Sequence, residues 1–234
     1  LMNADDQEKL YENYWLYIEK TLRNKMDYSN LDAFFMQYIV YKTSKPVNSR
    51  QLYNSFVKLF KDSGYSQENI LKELRYYAEI FGAFVYGSDR YSDRINKLLY
   101  RLRVLNQTTC YPFLLHVFDD YHQGVITEET VEKILQFILA YLLRRMVCGV
   151  PSNTLRGLFT YLYNRIFKVA SNKQKYYETL NKFLFTVSSK DVIPSAAEFE
   201  RALQKANIYG NNALCRFLLL DIENGDGKEI LQAE

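Results

Sequence analysis

Only nine glycines and four prolines punctuate this chain of 234 residues, whereas an average chain of that length carries about 28 of the two together. Tight turns and strand ends consume these residues, so sparse punctuation argues against sandwiches, barrels and other turn-rich folds. Collagen-like and disordered chains are excluded too, because 48% of the residues are apolar and 16% aromatic. What remains is a chain of long helices joined by short connections.

Hydrophobic spacing agrees along nearly the whole length. Leu31, Phe34, Phe35, Tyr38 and Ile39 follow the i, i+3, i+4, i+7, i+8 pattern of an amphipathic helix. Similar stripes run through Leu10, Tyr14, Tyr17 and Ile18, through Leu52, Phe56 and Leu59, and through Ile70, Leu74, Tyr77 and Phe81. They continue at Ile95, Leu98, Leu99 and Leu102, at Leu114, Leu115 and Phe118, and at Val131, Ile134, Leu135 and Ile138. Leu155, Leu158, Phe159 and Leu162 carry an eighth helix, and Tyr176, Leu180, Phe183 and Leu184 a ninth. Phe199 with Leu203, and Leu214 with Phe217 and Leu218, carry the last two. Start signals fall where these stripes need them. Ser29 with Asp32 offers a capping pair, Ser66 and Thr127 are candidate caps, Pro112 suits a first turn, and Ser195 with Glu198 is spaced as a capping box. The fifth helix is expected from Ser88 or Asp89. No segment alternates with period two for long enough to make a strand, Phe183 to Val187 being the nearest. The fold class expected is all-α, an irregular multi-helix bundle of about eleven helices. It forms one domain over 1–234, with Asn106 to Cys110 as the best internal break, giving two sub-bundles, 1–107 and 108–234.

Charge and chemistry are less informative. Thirty basic against 27 acidic residues leave a net charge of +3, too small for a strongly basic nucleic-acid binder. No apolar run approaches the roughly 18 residues that a membrane span needs, and no membrane partner is expected. The three cysteines, Cys110, Cys148 and Cys215, have no metal-ligand spacing and read as small buried thiols of a reducing cytosol, so the expected location is cytoplasmic. His116 and His122 are six apart, wrong for a helical zinc pair, and read as surface or half-buried residues. Gly225-Asp226-Gly227 is no phosphate loop. Counted as a calcium loop from Asp221, the stretch puts Asp226 where the glycine is needed and Gln232 where the glutamate is needed. Asp119-Asp120 and Glu128-Glu129 are sequence neighbours, about 100° apart on a helix, so they make poor acid/base pairs and read as solvated helix faces. Tyrosine and phenylalanine sit mainly at core spacing. No catalytic residue, metal ligand or cofactor site is expected.

Two basic features remain. Arg90, Arg94, Lys97 and Arg101 fall at i, i+4, i+7 and i+11, a single stripe opposite the apolar face, suited to following a phosphate backbone. An ordinary exposed face accounts for the same spacing. A second cluster, Arg165, Lys168, Lys173 and Lys175, crosses a predicted loop. Arg144-Arg145 closes the seventh helix, where cations complement the helix dipole, and where they would also suit a domain interface or a phosphate.

Several stretches, taken in order, resemble a known family. They are Leu31-Asp-Ala-Phe-Phe-Met-Gln-Tyr-Ile39, Leu52-Tyr-Asn-Ser-Phe-Val-Lys58 and Thr108-Thr-Cys-Tyr-Pro-Phe-Leu-Leu115. The most distinctive is Tyr141-Leu-Leu-Arg-Arg-Met-Val-Cys-Gly-Val-Pro-Ser-Asn-Thr-Leu155. Ile193-Pro-Ser-Ala-Ala-Glu-Phe199, Asn207-Ile-Tyr209 and Arg216-Phe-Leu-Leu-Leu-Asp-Ile-Glu-Asn224 complete the set. Their order resembles the helical region of GmrSD-type modification-dependent restriction endonucleases, the type IV enzymes of prokaryotic phage defence. In that family a ParB/sulfiredoxin-like nucleotide-hydrolysing domain precedes the helical region and an HNH nuclease often follows. The polar motif of the first and the Ile-Glu-His of the second are absent from this sequence, so no catalytic residue carries over. The resemblance implies a fragment of a longer chain, not itself an enzyme. It would be a connector whose partners are the flanking domains and, through the basic stripe, double-stranded DNA. The rival expectation is a stand-alone helical protein-interaction domain.

Overall fold

The computed structural model describes residues 4–23, 29–187 and 190–223. The calcium-loop reading at 225–232 lies outside them. Every regular element among the described residues is helical, and the all-α multi-helix bundle is as the periodicity predicts. The first helix, α1, is continuous through Ala4–Leu10, a π-helical turn at Tyr11–Trp15, and Leu16–Leu22. It is followed by α2 (Ser29–Thr43), α3 (Leu52–Lys61), α4 (Gln67–Tyr86), α5 (Asp93–Val104) and α6 (Tyr111–His122). The second half holds α7 (Glu128–Val147), α8 (Asn153–Phe167), α9 (Tyr176–Thr186), α10 (Ala196–Leu203) and α11 (Asn212–Glu223). Phe183 to Thr186, within the nearest candidate for a strand, is helical.

Four of the expected start signals operate. The hydroxyls of Ser66 and Thr127 accept from the backbone N–H groups of Asn69 and Thr130. Pro112 lies in the first turn of α6, and Ser195 with Glu198 closes a full capping box. The fifth helix departs from expectation. It begins at Asp93, with Ser92 as its cap, and not at Ser88. The cause is Asn96, whose amide donates to the carbonyls of Ser88 and Tyr91 at 2.8 and 2.9 Å while its oxygen accepts from Ser88 N–H at 3.0 Å. One side chain thereby satisfies the backbone of a turn that would otherwise have to become helix.

The hydrophobic core is continuous from Ile18 to Phe217. Helices from both sides of the Asn106 to Cys110 break share it. The reason is α6, which packs against α2 and α4 on one side and α7 and α8 on the other. Eight of its twelve residues are buried, so it serves both halves as a common wall. In addition α5 packs along α7, and α11 returns onto α5 and α7. No helix among the described residues is long and apolar enough to cross a membrane.

Candidate functional site

The densest polar cluster is built on α6, where the sequence pointed only to a solvated face. Successive residues on a helix diverge by about 100°, and Asp119 and Asp120 use that divergence to collect different partners. Asp119 accepts from the Tyr41 hydroxyl at 3.1 Å, the Tyr76 hydroxyl at 3.0 Å and the Gln123 amide at 3.0 Å. Asp120 is 3% exposed. It accepts from Tyr163 at 2.8 Å, Tyr176 at 3.1 Å and the Lys173 ammonium at 2.7 Å. The solvated reading of these two carboxylates is therefore wrong. Apart from Gln123, four residues on, their donors arrive from α2, α4, α8, α9 and the α8–α9 connection, at separations of 43 to 78 residues. Glu128 and Glu129, by contrast, lie in the first turn of α7, where Glu129 pairs with Lys133 at 2.7 Å.

The histidines extend the same network. His122 is gripped at both ring nitrogens, Nδ1 by the Tyr76 hydroxyl and Nε2 by the Tyr91 hydroxyl, each at 3.1 Å. Burial and the nearby Arg90 charge lower its pKa, with Asp119 and Glu79 opposing. The His116 ring lies flat on Tyr163, with centroids 3.8 Å apart and planes 6° apart, and against Tyr41 at 4.2 Å. Burial, assisted by the Lys173 charge, pushes its pKa down to about 3. The tyrosines move the other way. Burial first, then the carboxylates and phenols beside them, raise Tyr41, Tyr76, Tyr163 and Tyr176 well above the ordinary phenol range.

Chemically this is a set of phenols, one amide and one ammonium around two carboxylates. Both oxygens of Asp120 are engaged, one by Lys173 and the other by two phenols. The arrangement suits fixing helices relative to each other. Nothing in the linear order of residues signals it beyond an unusual wealth of tyrosine, 21 in all.

The expected basic stripe is broken. Arg90 precedes α5 and pairs with Glu79 of α4. Arg101 pairs with Asp221 of α11 and stands over the Phe217 ring at 5.2 Å. Arg94 is 83% exposed and reaches Glu132 at 3.8 Å, and Lys97 is exposed with no ion pair among the described residues. The alignment fails at its first member because the Asn96 turn takes Arg90 off the helix. In the second basic cluster, Lys173 is spent on Asp120 and Arg165 lies 5.9 Å from the Phe183 ring.

Arg144 and Arg145 have an internal task. Arg145 is 1% exposed. It donates to Lys190 O at 2.8 Å, Pro151 O at 3.0 Å and the Thr154 hydroxyl at 3.1 Å, while its Nε has no partner. Arg144 donates to Pro194 O at 3.2 Å, and the Tyr141 hydroxyl to Asp191 O at 2.8 Å. The end of α7 thus clamps the 190–194 segment. A guanidinium so enclosed is directed inward, to the carbonyls and the hydroxyl that it holds.

Among the described residues no group of three or more histidines, cysteines and carboxylates is arranged to hold a metal ion. The cysteines are free. Cys110 is buried, with burial pushing its thiol up to about 12, and Cys148 and Cys215 are half-buried. Compared with known proteins, the chain matches no protein-family model, no curated protein and no solved structure.

Proposed function

We propose that this chain is a helical connector, a scaffold region of a prokaryotic phage-defence restriction nuclease that holds nucleotide-hydrolysing and nuclease modules together. The observation that carries the reading is the placement of the stretches on which the family resemblance rests. The Tyr141–Leu155 stretch clamps the segment that leads into Ile193–Phe199 through Tyr141, Arg144 and Arg145. The Arg216–Asn224 stretch meets α5 through Asp221 and Phe217. The Thr108–Leu115 stretch opens the shared wall, α6. Residues distinctive in sequence are here joints between helices, which is what a scaffold needs.

A connector also needs surface for its neighbours. On α11, Leu219 is 54% and Ile222 71% exposed, apolar side chains of the kind a packed partner covers. The same side chains favour the rival, a stand-alone interaction domain. An HNH motif in frame downstream decides for the connector, and a stop codon shortly after Glu234 for the rival. Restriction by the parent chain tests the function directly. Replacing this region with a flexible linker is expected to abolish it, and undiminished restriction would overturn the reading.

Contact with DNA rests on Arg94 and Lys97, the cations of the stripe left largely to solvent. Duplex binding measured against salt tests it. An R94E/K97E variant with unchanged affinity and salt slope removes the DNA role.

A further inference from the structure

Acidic residues make up 27 of the 234 in the chain, yet two long stretches hold none. One runs from Ala33 to Lys61 and carries five lysines and arginines, the other from Lys133 to Tyr177 and carries eight. The net charge of +3 therefore divides into +13 on these two stretches and −10 on the rest. Five of the thirteen cations are already engaged. Lys42, Lys133 and Lys173 reach carboxylates that lie outside both stretches, and Arg144 and Arg145 hold carbonyls. The other eight are exposed and form no ion pair among the described residues.

The fold brings the two stretches together. Ser44, at φ 49°, turns the chain out of α2, and its hydroxyl accepts from the Asn164 amide of α8 at 2.5 Å, 120 residues further on. Pro46 and Val47 border a small cavity together with Arg156 and Thr160 of the same helix. The turn between α2 and α3, with the exposed Lys45 and Arg50, thus lies against the outer side of α8. That side exposes Arg156, Tyr161, Asn164, Arg165 and, just past the helix end, Lys168. From Arg156 to Lys168 the cations span about 18 Å, at about 1.5 Å per residue.

The kind of partner follows from this chemistry. An anionic membrane is bound by a helix that can bury an apolar face in it, and that face of α8 is spent in the core through Leu155, Leu158, Leu162 and Ile166. A nucleic-acid duplex carries one charge per roughly 1.7 Å of its axis, dense and rigid enough to meet cations spread along a helix and an adjoining turn. Three of the five cations are arginines, whose planar forks match pairs of phosphate oxygens. Tyr161 and Asn164 add neutral donors of the kind that bond phosphates. We propose that Lys45, Arg50, Arg156, Arg165 and Lys168 form a docking face for the phosphate backbone of a nucleic-acid duplex, bound without regard to base sequence. The face lies on other elements than Arg94 and Lys97 of α5, and it needs no flanking domain.

Fluorescence anisotropy of a labelled duplex of about 20 base pairs and random sequence, titrated with the chain at several salt concentrations, tests the proposal. Five neutralised phosphates give a plot of log K against log salt with a slope of about −4.5. R156Q/K168Q and K45Q/R50Q should each make that slope shallower by about 1.8 and weaken low-salt binding by about tenfold or more. K9Q/K20Q, which removes two exposed cations of α1, should change neither. Absence of saturable binding at low salt would overturn the face, as would undiminished affinity and slope in either of the first two variants, or equal losses in K9Q/K20Q. Polyglutamate or phosphatidylserine vesicles competing as well as unlabelled duplex would overturn the choice of partner. Loss in R94E/K97E with none in R156Q/K168Q would move the contact to α5 and overturn this face alone.

Discussion

The guanidinium of Arg145 donates to the carbonyl oxygen of Lys190 at 2.8 Å, 45 residues further along the chain. It is a buried cation with no ion pair among the described residues, held by carbonyl oxygens and one hydroxyl. The carbonyls that it meets, at Pro151 and Lys190, belong to turns that no helix hydrogen bond covers. One side chain does the work that backbone pairing does elsewhere in the molecule.

Arg145→Met retains most of the volume and orphans three acceptors, so it should cost about 3 kcal/mol in urea unfolding. Arg144→Met, which loses one longer bond, should cost no more than about 1 kcal/mol. Amide exchange over 191–195 should quicken in the first variant only. Equal costs for the two would mean that the clamp is not where stability lies.

Asp120 binds two phenols and an ammonium while 3% exposed. Asp120→Asn leaves Lys173 without its counter-charge and turns one acceptor into a donor facing other donors. A loss of about 3 kcal/mol is expected. Asp119→Asn, half-buried and bonded only by neutral groups, should lose about 1 kcal/mol. In a double-mutant cycle, Asp120→Asn and Tyr176→Phe should show measurable coupling, and simple additivity would argue against a shared network.

His116 gives the fold an acid-sensitive element. Its pKa is near 3 when folded and about 6.5 when unfolded. The unfolded state therefore binds the extra proton first. This contribution is fully present above about pH 6.5 and is lost as pH falls towards 3, at about 1.4 kcal/mol per pH unit within that window. Tyr41 and Tyr163, raised well above the ordinary phenol range, stay neutral across it. His116→Phe, which keeps a ring against Tyr163, should flatten the fall in urea midpoint between pH 7 and 5. An unchanged pH profile in that variant would assign the sensitivity elsewhere.

Two helical glycines should respond oppositely to alanine. A Cβ at Gly82 would come within 2.9 Å of Thr21 Cγ2, whereas one at Gly157 meets nothing within 4 Å. Thr21 is held in place by its hydroxyl bond to Tyr17 O at 2.8 Å. Gly157→Ala should stabilise by about 0.5–1 kcal/mol through helix propensity alone. Gly82→Ala should destabilise despite the same propensity gain, and adding Thr21→Ser should restore it. Thermal unfolding of the four proteins decides the matter. Stabilisation by Gly82→Ala alone would show that α1 and α4 are not packed this closely.

The helical architecture was legible because it is written locally. Apolar residues three and four apart, Ser66, Thr127 and Ser195 at their caps, and Pro112 in a first turn each act within one or two turns of backbone. One local reading failed, at Ser88 to Ser92, because the Asn96 side chain competes for the same backbone groups and no periodicity reports that competition. What the polar residues do was not legible. Asp119, Asp120, Arg101, Arg103 and Arg145 look alike in sequence, charged positions on amphipathic helices. Their roles depend on partners up to 120 residues away. Spacing in sequence determined where helices form and which faces are apolar. Tertiary structure alone decided which charges are buried and paired. The cause is electrostatic. A charge is stabilised by whatever dipole or opposite charge the fold brings to it after water is removed, and that neighbour is set by packing, not by sequence order.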